Sequence, residues 1–247
     1  MRHINLLPDL STEEQAALEK LLSKTVEFGA GQEIMREGDQ PGFTSVLVEG
    51  IACRCRQLPN GSRQIMTFNI PGDWIDLNSF FLKTLDHGVH AMTRCRVAQI
   101  PHAQVRELIE THPRVGQTMW RNTMVEGAVV REWVVNIGRR DAYERVAHLM
   151  CELHARLEAI GMTDGYTYEL PLTQTDLADS VGVSTVHVNR VLQKLRHEGL
   201  ISFGGKSVVI HDWDRLREIG DFSPSYLHLN EKSDGSGSGR REPSVTL

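Results

Sequence analysis

Features that mark several large classes of protein are missing from this sequence. Its 247 residues contain no run of about 18 apolar residues, so no membrane-spanning helix is predicted. The N-terminal stretch turns acidic too early for a secretory signal peptide, and we expect a cytoplasmic protein. Phosphate-binding loops, nucleophile elbows and HExxH zinc motifs are also missing, so we predict that the protein is not an enzyme.

Cysteine is scarce, with four residues and no CxxC motif. Cys53 and Cys55 share a face if they lie on a strand, and Cys95 could lie on a neighbouring strand. A metal or redox trio is one interpretation. Burial as small apolar side chains in a reducing compartment is the other, which we favour because tetrahedral sites usually need four closely spaced ligands. Cys151 lies off the apolar stripe of its predicted helix, where a sensor role is the less favoured alternative.

An overall excess of basic residues is also absent, since the net charge is −5. The distribution of charge matters more than its sum. Residues 184–206 contain four basic residues and one acidic residue, Glu198, which gives this stretch a local charge of +3. Such a patch predicts modest non-specific affinity for nucleic acid and a strong dependence on salt. The four basic residues are Arg190, Lys194, Arg196 and Lys206.

Residues 172–201 have the pattern of a helix-turn-helix. Thr173 is a predicted N-cap, and Asp176 occupies the position of a capping-box partner three residues later. Gly182 permits a left-handed backbone at the turn, and Ser184 can cap the second helix. Two β-prone runs that flank a Gly-Gly pair follow the second helix and predict a hairpin, which would complete a winged helix.

The outward face of the second helix carries residue types that read DNA. Arg pairs with guanine, and Asn or Gln pairs with adenine, in the major groove. Val186 lies on this outward face without a folding role, and a thymine methyl group would give it a partner. A solvated face with one stray valine is the competing interpretation. The predicted base and phosphate contacts are Thr173, Gln174, Ser184, Thr185, Val186, His187, Asn189, Arg190, Gln193, Lys194 and Lys206.

The helix-turn-helix resembles the DNA-binding domain of the CRP/FNR family of bacterial transcription regulators, and the layout of the chain agrees from about residue 20 to residue 215. In that family the recognition helix opens with Ser or Thr and then carries Glu, a small or polar residue, and Arg. These places fall on Ser184, Val186, Asn189 and Arg190. Because Val186 replaces a Glu that accepts from cytosine N4, we expect a preference for thymine at the corresponding base.

Short alternating runs broken by Gly, Pro and Asn between residues 26 and 100 predict an all-β roll. The runs FGAGQEIMREGDQP and PGDWIDLNSFF resemble the cyclic-nucleotide-binding domain of the same family. In members that respond to cyclic AMP, a Gly-Glu pair holds the ribose and an Arg-Ser pair holds the phosphate. These pairs fall near Asp76-Leu77 and Leu85-Asp86 here, and a carboxylate repels an anion, so we expect no cyclic AMP binding.

No other cofactor is predicted. Iron–sulfur members of the family carry a cysteine cluster near the N-terminus, whereas no cysteine precedes Cys53 here. His87 and His90 fall in the predicted ligand loop, where solvent exposure is expected and a haem or metal role is the alternative.

A long helix is predicted from Pro113 to about Ile137. It carries two apolar stripes, which suggests that it packs both on its own roll and on the same helix of a second copy. Burial within one domain is the alternative. Trp120, Met124, Ala128 and Val135 form the second stripe. The residues assigned to dimerisation are those of the first stripe, Val115, Met119, Asn122, Glu126, Val129 and Trp133.

The sequence therefore predicts an α+β protein: an N-terminal β-roll of the double-stranded β-helix or jelly-roll type (1–111), a long dimerisation helix with a hinge (112–138), a winged helix-turn-helix (139–225) and a disordered tail (226–247). The predicted function is a homodimeric, sequence-specific transcription regulator that binds a palindromic site. Its expected partners are double-stranded DNA, a second copy and, for an activator, RNA polymerase, but no membrane. The alternative is a regulatory module whose roll binds a small ligand or redox signal and whose helix-turn-helix contacts another protein.

Overall fold

The computed structural model describes residues 10–204 and 206–229. Turns at the predicted Gly, Pro and Asn clusters divide the first hundred residues into seven short strands, as expected for a roll. The strands are β1 (Thr25–Phe28), β2 (Glu33–Met35), β3 (Phe43–Glu49), β4 (Ala52–Gln57), β5 (Arg63–Asn69), β6 (Gly88–Ala91) and β7 (Cys95–Pro101).

Two antiparallel sheets form the roll, with strand orders β1-β7-β3 and β2-β6-β4-β5. Their facing sides share a buried apolar core, to which Leu47 and Val97 contribute from one sheet and Ala52 and Val89 from the other. A 3₁₀ helix, Leu77–Phe80, follows β5. The predicted β-roll is confirmed.

Three helices accompany the roll, α1 (Thr12–Leu21), α2 (His102–Thr111) and α3 (Pro113–Arg139), and α4 (Ala142–Ala159) follows them as the first helix of the DNA-binding domain. The helix α3 has 27 residues, which is a length of about 40 Å. The helix α4 begins at Asp141, whose side chain and that of Glu144 form a capping box. No helix in the described part of the chain is both long enough and apolar enough to cross a membrane.

The two apolar stripes of α3 differ in exposure, and the stripe to which the sequence assigned dimerisation is the covered one. Val115 and Met119 are buried with α1 and α2 against the roll, and Val129 and Trp133 are buried in a core that includes α4. Glu126 pairs with an arginine of the roll, and Asn122 is half-buried beside it. The first stripe therefore faces its own chain. The stripe left exposed contains Trp120, Met124, Val130, Val134 and Val135.

The winged helix-turn-helix follows α4. Its sheet has the order β10-β11-β9-β8, and the predicted wing is the β10–β11 hairpin. The elements are β8 (Thr163–Asp164), β9 (Thr167–Glu169), α5 (Gln174–Val181), α6 (Thr185–His197), β10 (Ile201–Gly204), β11 (Ser207–Ile210), α7 (Trp213–Ile219) and a 3₁₀ helix (Pro224–Leu227).

Helix α4 is enclosed on all sides over most of its length, because it packs against α3, the other helices of the winged domain and the 3₁₀ helix near residue 226. Cys151, which the sequence placed off the apolar stripe, is fully buried for this reason. Burial also raises the pKa of its thiol well above the usual value.

Direct contacts join the roll to the DNA-binding domain. One apolar core contains Ile65 and Phe68 of β5 together with Leu177 and Val181 of α5. Arg63 of β5 extends this contact with two ion pairs to α5, one to Asp176 at 2.6 Å and one to Asp179 at 2.8 Å. We call these two ion pairs the interdomain clamp.

Residues 221–229 form a segment that we call the C-terminal strap, which runs back along α3. Phe222 and Leu227 are buried, and the Tyr226 hydroxyl donates a hydrogen bond of 2.7 Å to the buried carboxylate of Glu152. Arg121 of α3 donates a hydrogen bond of 3.0 Å to the carbonyl oxygen of His228. The tail predicted from residue 226 is therefore ordered as far as 229, and residues 230–247 lie outside the described part.

Candidate nucleic-acid interface

The first helix of the motif, α5, is fixed by the predicted capping box. The Thr173 side chain accepts a hydrogen bond of 3.1 Å from the N–H of Asp176, and the Asp176 carboxylate accepts one of 2.9 Å from the N–H of Thr173. The helix ends at Gly182, which has a left-handed backbone with φ of 69°. A side chain would be strained in this conformation, and so the glycine allows the tight turn into α6.

The second helix, α6, begins at Ser184, whose hydroxyl accepts a hydrogen bond of 3.3 Å from the N–H of His187. Its inward stripe of Val188, Leu192 and Leu195 is completely buried. This packing fixes which face of α6 points outward, and it places the remaining polar residues on that face.

Most of the predicted DNA-contacting residues are exposed. Val186 is 63% exposed, which is unusual for valine in a folded domain. Arg190, one turn further along α6, makes no hydrogen bond or ion pair with any residue of the described ranges 10–204 and 206–229, so its guanidinium is free to bind a base. The exposed members are Thr173, Ser184, Thr185, Val186, His187, Arg190, Gln193, Lys194 and Lys206.

Gln174 and Asn189 are the two half-buried members of the predicted set. The side-chain amide of Asn189 donates a hydrogen bond of 2.9 Å to Oε1 of Gln174. This bond connects α5 to α6 beside the exposed surface. Both side chains are therefore held in position before any partner binds, which reduces the entropy lost on binding.

Lys194 is exposed but turns toward its own chain. Its ammonium nitrogen lies 3.8 Å from the centre of the Tyr143 ring and 3.9 Å from a carboxylate oxygen of Glu198. The Tyr143 hydroxyl donates a hydrogen bond of 2.7 Å to the same carboxylate. Contact between Lys194 and a phosphate would require this arrangement to open.

The wing is supported from both sides. Arg196 of α6 donates a hydrogen bond to the carbonyl oxygen of Phe203 in β10. The carbonyl oxygen of Lys206 accepts one of 2.8 Å from the N–H of Leu170, while the Lys206 side chain is exposed. The sequence did not indicate that Arg196 stabilises the wing, because its hydrogen-bond partner is a backbone atom of another element.

An ion pair lies next to the Asp76-Leu77 position, where the family resemblance places the ribose-binding pair. The Arg54 guanidinium donates hydrogen bonds to the carbonyl oxygens of Trp74 (2.7 Å) and Ile75 (3.0 Å), and it pairs with Glu126 of α3 at 3.1 Å. Asp76 is fully buried, and burial raises the pKa of its carboxyl to about 7. A polar cluster therefore joins the roll to the middle of α3.

The side chain of Asp86 is exposed, and its carboxylate lies 2.7 Å from Nδ1 of His87. His87 is buried rather than exposed, and burial lowers the pKa of its imidazole. The sequence expected both loop histidines to be solvated, whereas His90 lies on β6 and is half-buried.

The cysteine trio considered on the sequence does not form. Cys95 packs in the core between the two sheets, whereas Cys53 and Cys55 face the DNA-binding domain. Among residues 10–204 and 206–229, no group of three or more His, Cys, Asp or Glu side chains is arranged to hold a metal ion.

Comparison with known proteins identifies both parts of the chain. The profile of the cyclic nucleotide-binding domain matches residues 25–112, and that of the Crp-like helix-turn-helix domain matches residues 144–219. The nitrogen fixation regulation protein FixK of Bradyrhizobium diazoefficiens is 32% identical over 193 residues, which are 76% of this chain and 79% of the relative. The transcriptional activator protein FnrL of Cereibacter sphaeroides is 29% identical over 232 residues, 92% of each chain.

The solved structure of FixK2 from Bradyrhizobium japonicum has the same fold, with a TM-score of 0.72 at 23% identity over 79% of this chain and 96% of its own. The roll, the long helix and the winged helix-turn-helix are thus a shared architecture. The chain belongs to the CRP/FNR family, and it is a sequence-specific DNA-binding transcription regulator.

Proposed function

We propose that the protein acts as a homodimer that inserts one α6 helix of each protomer into the major groove of a palindromic DNA site, and that it does so without cyclic AMP. The exposed face of α6 carries this proposal. Arg190 has no hydrogen-bond or ion-pair partner in the described parts of the chain (10–204 and 206–229), and Val186, one turn before it, is largely exposed. Guanine and the methyl group of thymine would supply the missing partners.

The exposed stripe of α3 supports the dimer. Trp120 is 63% exposed and Met124 is 52% exposed, one turn apart on a helix whose other side is covered by the roll. An apolar stripe of this length on the same helix of a second copy would bury both. A two-fold dimer would place its recognition helices about 34 Å apart, which is one turn of DNA.

The Arg54–Glu126 ion pair supports control without cyclic AMP. The guanidinium of Arg54 is already neutralised by a carboxylate from α3, so it offers little attraction to an anionic phosphate. In this proposal the ion pair itself joins the roll to the dimerisation helix, and neither a nucleotide nor an iron–sulfur cluster is required.

The relative FnrL is named as a transcriptional activator. We extend this role to the present chain, with RNA polymerase as the partner on DNA. The second candidate function is a helix-turn-helix that mainly contacts another protein, and the exposure of Val186 favours it. The two candidate functions predict a different dependence of binding affinity on salt, because phosphate contacts weaken steeply as the salt concentration rises.

Selection of sites from random duplex DNA tests the proposal, with reduced, metal-free protein and no added ligand. We expect a palindrome, and we expect Arg190→Ala to weaken its binding at least about tenfold. Arg56→Ala is the matched control, because Arg56 is exposed on the roll and should leave affinity unchanged. Cyclic AMP should not change the affinity. Failure to enrich any site, or unchanged binding by the Arg190 variant, would contradict the proposal.

A further inference from the structure

A hydrogen bond between two side-chain amides connects the two helices of the DNA-binding motif. Nδ2 of Asn189 donates to Oε1 of Gln174 at 2.9 Å. A side-chain amide has one oxygen that accepts hydrogen bonds and one nitrogen that carries two hydrogens. After this bond, Asn189 keeps its oxygen and one N–H, whereas Gln174 keeps both hydrogens on its nitrogen. The pair therefore offers a donor next to an acceptor on Asn189, and donors on Gln174.

The remaining amide atoms of this pair are available to a ligand. Within residues 10–204 and 206–229, neither side chain makes another hydrogen bond, and neither contains a buried polar atom that lacks a partner. Oδ1 of Asn189 and Nε2 of Gln174 are therefore open to solvent. The amide nitrogen of Gln64 differs, because it donates to the carbonyl oxygens of Ile65 and Ser180 and is used within the fold.

The positions of the two residues in the motif place them at different parts of DNA. Gln174 is the first residue of α5, whereas Asn189 is the fifth residue of α6 and directly precedes Arg190. When a helix-turn-helix binds DNA, the N-terminal part of its second helix contacts base edges, and its first helix crosses the sugar–phosphate backbone. Asn189 would therefore meet a base, and Gln174 would meet a phosphate.

A phosphate beside Gln174 would not face an unpaired carboxylate. The carboxylate of Asp176 lies near the start of α5, where it accepts a hydrogen bond of 2.9 Å from the N–H of Thr173. Its other oxygen is paired with the guanidinium of Arg63 at 2.6 Å. Because this arginine neutralises the carboxylate, repulsion of an anion is reduced. The donors on Gln174 can therefore bind an anionic oxygen.

The free edge of Asn189 matches adenine. In the major groove adenine presents N7 as an acceptor and its N6 amino group as a donor, whereas guanine presents two acceptors, N7 and O6. A donor next to an acceptor can pair with both groups of adenine, but against guanine the oxygen of Asn189 would face another acceptor. The bond to Gln174 matters because it fixes which end of the Asn189 amide is the nitrogen.

We propose that Gln174 is a positioning residue that links a DNA phosphate to Asn189, and that Asn189 reads one adenine in each half-site. The inference rests on the function proposed above, in which α6 enters the major groove. Hydrogen bonds in a chain polarise one another, so an amide whose nitrogen donates to an anion accepts more strongly at its oxygen. Specificity at this base then depends on a residue that touches no base.

Fluorescence anisotropy tests the inference on the selected palindrome, with each A·T pair changed to G·C in turn. The unsubstituted protein should prefer adenine by at least about fivefold at the position that Asn189 reads. Asn189→Ala should abolish this preference, and Gln174→Ala should lower it at least about threefold at the same position. The double variant should lose no more of it than Asn189→Ala alone. Thr175→Ala, at an exposed neighbouring position of α5, is the matched control and should keep the preference.

Gln174→Glu separates the two roles of Gln174, because glutamate keeps an oxygen acceptor for Asn189 but has no donor for a phosphate. We expect weaker binding to all sequences alike, with the adenine preference within about twofold of the original. Replacement of the adenine by 7-deazaadenine, which lacks the N7 acceptor, should weaken the unsubstituted protein at least about threefold and leave Asn189→Ala unaffected. Equal loss of preference in the Gln174→Glu and Gln174→Ala variants would overturn the positioning role.

The same measurements separate this inference from the proposed function. If the unsubstituted protein selects no DNA site, the proposed function fails and this inference fails with it. If it selects a palindrome but Asn189→Ala changes the preference at no position, the DNA-binding function stands and the inference fails. The inference also fails if Gln174→Ala leaves the preference at the Asn189 position unchanged.

Discussion

Arg63 and Asp176 join the two domains through a carboxylate that also starts a helix. Oδ1 of Asp176 accepts a hydrogen bond of 2.6 Å from Arg63, while Oδ2 accepts one of 2.9 Å from the N–H of Thr173. The same side chain thus caps α5 and holds it against β5. The orientation of the DNA-binding motif is therefore coupled to the position of the β5 strand.

We expect Arg63→Ala to lower the free energy of unfolding by about 1–3 kcal/mol, because it removes a half-buried cation from two carboxylates. Urea denaturation measures this change. Arg36→Ala removes an exposed ion pair with Glu33, which water screens, and should cost much less stability. Equal losses for the two variants would show that the interdomain clamp contributes no more than a surface pair.

Val186→Glu should change the base that α6 reads. Glutamate accepts a hydrogen bond from cytosine N4, whereas valine contacts the thymine methyl group. We expect selected sites to change from thymine to cytosine at one position of each half-site, with a free-energy difference of about 1–3 kcal/mol. Parallel site selections with the two proteins measure this. Gln104→Glu, at an exposed position of α2, is a charge control that should leave the half-site unchanged.

Trp120→Glu with Met124→Glu should produce a monomer, because two charges would replace the two largest exposed apolar side chains of the α3 stripe. Sedimentation velocity should show half the mass of the unsubstituted protein. Phe81→Glu is the matched control, since Phe81 is 68% exposed but lies outside α3. A dimer that survives the double substitution would assign the interface to another surface.

Asp76 should make stability depend on pH. Its folded-state pKa of about 7 lies above its value of about 4 in an unfolded chain, so the folded protein keeps a proton that the unfolded chain releases. The stability that this proton contributes is present below pH 4 and is lost as the pH rises through about 7.

Asp76→Asn removes this titration and keeps an oxygen acceptor for Thr44 and Ser45. At pH 8 we expect it to raise the free energy of unfolding by about 1–3 kcal/mol, with a smaller effect at pH 5. Urea denaturation at the two pH values measures the difference. Asp164→Asn, at an exposed position, should have no comparable effect. A larger gain at pH 5 than at pH 8 would contradict the assignment.

Local features of the DNA-binding motif could be predicted because each depends on a few neighbouring residues. The Thr173–Asp176 capping box, the left-handed Gly182 and the Ser184 cap were all predicted from sequence spacing, and the structure has each of them. The inward stripe of α6 follows from helical periodicity in the same way. These features fix the exposed face of α6.

Features that depend on long-range packing could not be predicted. Helical periodicity shows two apolar stripes on α3, but only the position of the roll decides that Val129 is covered and Trp120 is not. The same holds for His90, which strand pairing places opposite Cys53 of the neighbouring strand. Sequence distance gives no indication of these neighbours.

The C-terminal strap lies beyond the segment that matches the family's helix-turn-helix profile, although it packs as part of the DNA-binding domain. The helix-turn-helix profile ends at residue 219, whereas ordered chain continues to residue 229. A domain cut at 219 would lose Phe222 and Tyr226, and the carboxylate of Glu152 would lose one of its hydrogen bonds. Any chimaera that transplants this DNA-binding domain to another sensor must therefore carry the strap, together with the part of α3 on which the strap lies.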